Sequence, residues 1–167
     1  MARTRPDPKT ELAFRNYVQA AANARDDIEF FLQNCEGNFT VDYSLDSLLQ
    51  IEKFYRAAIA GSAKFPTGLG TPQDFIELAC RYLGETIIRA VSGKWVLSSD
   101  NGTRMLPAVT FDGCPGWALC YPSRLAASFE NLHETNPHFS GLWRSEVLAE
   151  QLRSIVSAHK KHAQKPN

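Results

Sequence analysis

The sequence predicts an α+β domain: about five helices packed on a small antiparallel sheet. Three observations carry this expectation. Apolar residues recur at three- and four-residue spacing through three long stretches between residues 12 and 91, the signature of helices with one buried face. After Ser92-Gly93 the period drops to two, as in a half-buried strand. Asp100-Asn101-Gly102 then interrupts the alternation with residues that accept the positive φ of a tight hairpin turn.

The first helix is expected over roughly residues 10–35, with Thr10 as cap. Its stripe runs through Leu12, Phe14, Tyr17, Val18, Ala21, Ala24, Ile28, Phe31, Leu32 and Cys35, and Gly37 follows as the stop. Residues 39–43 alternate apolar and polar like a short extra strand. Ser44 is a good N-cap for a second helix through Leu45, Leu48, Ile51, Tyr55 and Ala58, ending near Gly61. Residues 61–70, with three glycines and a proline, form a loop. Thr71-Pro72-Gln73-Asp74 opens the third helix: Thr71 caps, Pro72 takes the first helical position, and Asp74 reaches back. Its apolar face holds Phe75, Ile76, Ala79, Tyr82, Leu83, Ile87 and Val91.

Residues 94–98 and 105–111 form the first two strands, with Pro107 marking an edge or bulge. Residues 117–121 add a third, making a meander over 94–121. Pro122 starts a short helix carrying Leu125, Phe129 and Leu132, and a last helix spans about 142–162. The expected organisation is one domain over 10–162 between flexible ends, 1–9 and 163–167.

With 167 residues, one core is large enough to fold without disulfides or metal. Eighteen basic residues balance eighteen acidic ones, which lowers the prior for a nucleic-acid binder and leaves self-association unopposed. The polar start, the lack of a long apolar run and the scattered cysteines Cys35, Cys80, Cys114 and Cys120 lead us to expect a cytoplasmic protein with reduced thiols and no membrane span.

No catalytic motif stands out. Cys114 and Cys120 lack a second ligand pair, so no metal is expected. There is no G-x-S-x-G elbow. Gly68-Leu69-Gly70-Thr71 lacks the lysine of a phosphate loop. Cys114, in a glycine-proline turn, and Glu85 are the candidates for chemistry, with His133 or His138 as the histidine. The plainer reading of Glu85 is a structural brace with Arg89, four residues on, or with backbone donors of the hairpin, while Gly84 invites close packing. No cofactor is implied.

Four segments carry a resemblance: Tyr43-Ser44-Leu45-Asp46-Ser47-Leu48, Tyr82-Leu83-Gly84-Glu85-Thr86-Ile87-Ile88-Arg89, Gly93-Lys94-Trp95-Val96-Leu97, and Tyr121-Pro122. Over about residues 40–130 the chain resembles small bacterial domains of unknown function, in which a Ser-Leu helix, a Tyr-Leu-Gly-Glu helix, a Gly-x-Trp strand and a proline-started helix follow one another. The resemblance implies a bacterial, non-enzymatic, protein-binding role, comparable small proteins being immunity partners of toxins. Contact points expected on the hairpin tips are Asp100, Asn101 and Asp112, with Trp117 as an aromatic anchor. A small enzyme using Cys114 or Glu85, and a homo-oligomer built through the wide stripe of the first helix, stand as alternatives.

Overall fold

The computed structural model describes residues 6–35, 37–65, 68, 70–100, 104–111, 153, 156–157 and 159–161. Among these it contains four helices, α1 (Pro8–Ala22), α2 (Ala24–Gln33), α3 (Leu45–Ile59) and α4 (Pro72–Val91), and two strands, β1 (Lys94–Asp100) and β2 (Arg104–Thr110). Residues 153, 156–157 and 159–161 are also helical. The class is therefore α+β. The third strand at 117–121, the turn residues Asn101 and Gly102, and the helix expected after Pro122 lie outside the described residues; the sheet described is a two-stranded antiparallel pair.

The expected first helix is in fact two. Asn23, at φ −96° and ψ 0°, ends α1 and precedes α2. Asparagine is a poor helix former and tolerates such bridge-region geometry, so the apolar stripe continues across a one-residue break in the helix. The cap is Asp7 rather than Thr10: its Oδ1 accepts from the Lys9 and Thr10 N–H groups at 3.0 and 3.1 Å. Pro8 takes the first helical position, where its missing N–H costs nothing.

Residues 39–43 do not form a strand. The Thr40 N–H donates to the Gln50 side chain at 2.8 Å, and the Tyr43 N–H donates to the Tyr82 hydroxyl at 2.6 Å. Side chains have taken the donors a ladder would use. Tyr43 also adopts φ +61°, a left-handed conformation costing a bulky residue about 1–2 kcal/mol.

Two further N-caps follow the sequence, whereas α2 ends at Asn34 rather than at Gly37. Ser44 accepts from the Ser47 N–H at 3.1 Å. Thr71 and Asp74 complete a reciprocal capping box. Ser92, left-handed at φ +52°, closes α4. β1 and β2 then pair in register, Trp95 with Val109 and Leu97 with Pro107.

The core lies around α4, which meets α1, α2, α3 and both strands. Its centre is aromatic. Phe31 of α2, Phe54 of α3 and Phe75 of α4 pack at centroid distances of 4.9–6.1 Å, with Phe65 closing over all three. Burying each such ring contributes roughly 1.5–3 kcal/mol, and each ring pair about 0.5–1.5 kcal/mol more.

Candidate interaction surface

The motif residues singled out in the sequence converge, and they hold one another. Gly84 faces Trp95: a Cβ on Gly84 would sit 2.0 Å from the indole ring. The indole N–H donates to Glu85 Oε1 at 2.8 Å, and Tyr17 of α1 meets the same ring edge-to-face at 5.3 Å. Gly93 is held as tightly, since a Cβ there would lie 2.8 Å from the Thr110 carbonyl oxygen. Trp95 is thus seated between α1 and α4 by a missing side chain, a hydrogen bond and a ring contact.

Arg89 engages elsewhere. Its guanidinium carbon lies 4.1 Å from the Tyr43 ring centroid, a cation–π contact worth about 0.5–1 kcal/mol at an exposed site. The opposite face of Tyr43 stacks on Tyr82 at 4.8 Å and 13°. Tyr82 and Ser47 share a 2.6 Å hydroxyl contact, and Ser47 donates onward to the Ser44 carbonyl at 2.8 Å. Ser47 has one hydroxyl proton, so Tyr82 must donate to it. A continuous chain runs from the Tyr43 N–H through Tyr82 and Ser47 to Ser44. Burial raises the Tyr82 phenol above its ordinary value.

One buried charge escaped the sequence reading. Glu52 of α3 is fully buried. Its Oε1 accepts from Arg56 Nη2 at 2.7 Å and Nε at 3.0 Å, while Oε2 finds no partner among the described residues. The signal was present: Glu52 sits beside Ile51 and four residues from Leu48 on the apolar stripe, with an arginine one turn on.

Of the contact residues expected at the hairpin tips, Asp100 ends β1 opposite Arg104, and its side chain is outside what is described. Asn101, Asp112 and Trp117 lie outside the described residues. So do Cys114, His133 and His138. Glu85, the other candidate for chemistry, carries the indole hydrogen bond.

The surface that stands out is a groove between α2 and the first half of α4, about 260 Å³, lined by Asp27, Phe30, Phe31, Asp74, Phe75, Leu78 and Arg81. α2 builds one wall. Phe31 points into the core at 5% exposure, and the adjacent Phe30 is turned out at 59%. α4 supplies the floor through Phe75 and Leu78. The rim carries Asp27 and Asp74, first-turn acids of their helices, where the helix dipole favours negative charge. The Thr71 N–H and hydroxyl hold the Asp74 carboxyl below the usual range. Arg81 is the one cation in the lining. It pairs with Glu77 at 3.6 Å and lies 5.5 Å from the Tyr17 ring. Two aspartates against one arginine, itself paired with Glu77, leave this rim net negative. Among the described residues, no helix is long and apolar enough to cross a membrane. Comparison with protein-family models, with curated proteins and with solved structures finds no match to this chain.

Proposed function

We propose that this chain is a protein-binding module that recognises a basic, apolar-anchored surface of another protein, in the manner of a bacterial immunity protein holding a toxin. The observation that carries the reading is Phe30: a phenylalanine 59% exposed, standing in an aromatic groove whose rim is acidic. Single exposed apolar residues are ordinary, but an aromatic beside a pre-formed groove with complementary charge around it has the makings of an interface centre. The acid rim would speed encounter with a cationic partner and exclude anionic ones. The resemblance noted over residues 40–130 points the same way. Glu85 hydrogen-bonded to Trp95 favours the brace over the catalytic acid for that residue.

The test is affinity capture from the source organism with the wild-type chain, Phe30→Asp and Lys160→Glu in parallel. The expected result is one stoichiometric partner, retained by wild type and Lys160→Glu and lost by Phe30→Asp. If the partner is an enzyme, its activity falls to baseline at a one-to-one ratio. A partner held equally by Phe30→Asp, a second copy of this chain alone, or no partner at all overturns the reading.

A further inference from the structure

The groove beside Phe30 is small. At about 260 Å³ it falls below the roughly 300–1,000 Å³ of sites that enclose a drug-sized ligand. Its scale is that of one long side chain. Its two walls each bring an apolar surface and a carboxylate: Phe30, Phe31 and Asp27 from α2, Phe75, Leu78 and Asp74 from α4.

Both carboxylates have capacity left. The Thr71 N–H and hydroxyl donate to Asp74 Oδ2 at 2.7 and 2.8 Å. They hold the carboxyl in place and leave Oδ1 without a partner among the described residues. Asp27 is exposed and enters no ion pair among the described residues. The cation in the lining is engaged elsewhere. Arg81 pairs with Glu77 at 3.6 Å and lies 5.5 Å from the Tyr17 ring. It follows Asp74 by seven residues, which places it about 10 Å further along the helix.

These features select the chemistry of an occupant. An apolar floor under an acidic rim suits a cation on a long alkyl stem. Between the two such side chains, the exposed phenylalanine ring favours arginine over lysine. A guanidinium is flat, stacks on aromatic faces and is more weakly hydrated than an ammonium. It also meets a carboxylate through two N–H groups at once. A carboxyl already fixed by Thr71 needs little ordering when the charge arrives.

We propose that this groove takes one arginine side chain of the partner, its guanidinium on the Asp27 and Asp74 carboxylates and its alkyl stem along Phe30 and Leu78. The inference rests on the partner-binding reading and deepens it, because it names the residue on which recognition turns.

The test is an NMR titration of the full chain with the blocked tripeptide acetyl-Gly-Arg-Gly-amide and with its lysine and citrulline counterparts, citrulline having the shape of arginine without the charge. The expected result is saturable shifts confined to the amides of residues 27–31 and 74–81, with a Kd on the order of 1 mM. The lysine peptide should bind about threefold more weakly and the citrulline peptide at least about tenfold more weakly. Asp27→Asn and Asp74→Asn should each weaken the arginine peptide about fivefold and leave the citrulline peptide unchanged. Phe30→Ser should weaken all three. No saturable shifts, equal affinity for arginine and citrulline, or unchanged arginine affinity in either aspartate variant overturns the proposal. The peptides need no partner, so the two readings fail separately. A partner captured through Phe30 without arginine-peptide binding overturns this inference alone. Arginine-selective binding without any captured partner overturns the protein-binding reading and keeps the groove as an arginine site.

Discussion

The two faces of α4 make opposite use of their residues. Toward the hairpin, every distinctive group is satisfied from within the chain: Gly84 makes room for Trp95, Glu85 accepts a hydrogen bond from its indole N–H, and Tyr17 flanks the ring. Toward α2, the groove leaves Phe30 turned outward and a negative rim around it. The comparison teaches that the residues most conspicuous as a sequence motif are engaged in architecture. The surface with binding capacity is built from residues that form no motif at all.

The comparison breaks most sharply at Gly84. Gly84→Ala places a methyl inside the Trp95 ring position, and backbone or indole must move. A loss of about 3 kcal/mol or more is expected in urea unfolding. Pairing it with Trp95→Leu should recover much of that loss, because the clash and the indole disappear together. A mild Gly84→Ala phenotype would mean that the hairpin is not seated as rigidly as described.

A second prediction concerns the charge inside α3. Arg56→Leu leaves Glu52 buried without its only described donor, and a loss of about 3 kcal/mol is expected. Adding Glu52→Leu should bring stability back to within about 1 kcal/mol of wild type, since apolar replacement of a whole buried pair is often neutral. Equal destabilisation by the single and double variants would show that the pair positions something beyond itself.

Smaller effects sit on the groove side. The Asp74 carboxyl is held below its ordinary value of 3.8 by the Thr71 N–H and then the Thr71 hydroxyl. Its folded-state value is lower than its unfolded one, so its contribution is present above about pH 3.8 and is lost as pH falls through the folded value. Asp74→Asn should lower stability at pH 7 to 8, where the contribution is present, and flatten the acid limb, so that the variant and wild type converge in acid. Smallest of all is Phe30→Ser: unfolding free energy should stay within about 0.5 kcal/mol of wild type, while capture of a partner is abolished. A large stability loss there would place Phe30 in the fold rather than at an interface.

The local rules were readable where one residue type has one strong reason to be where it is. Ser44 and Thr71 with Asp74 appear as the residue types require, and the third expected helix ends at Ser92, before Gly93. So does the antiparallel pairing of residues 94–100 with 104–110, because period-two alternation admits no other regular element. The reading failed where neighbours compete for the same backbone groups. Periodicity is blind to a one-residue interruption, so Asn23 went unnoticed inside a continuous stripe. The alternation at 39–43 was real, but Gln50 and Tyr82 captured the donors. The pairing of Glu85 with Trp95 rather than with Arg89 was equally hidden, since helical spacing offers the nearer partner and the indole arrives from another element.

By itself, then, the sequence determined the α+β class, the N-caps at Ser44 and Thr71, the antiparallel strand pair and the apolar stripes, most of which arise from interactions within a few residues of one another. Only the tertiary structure decided which side chains satisfy each other across the core, that Phe30 is left outside while Phe31 is buried, and that acids from two helices share one rim. Those outcomes depend on how whole elements are rotated and stacked, and rotation is set by the summed packing of the aromatic core rather than by any local signal.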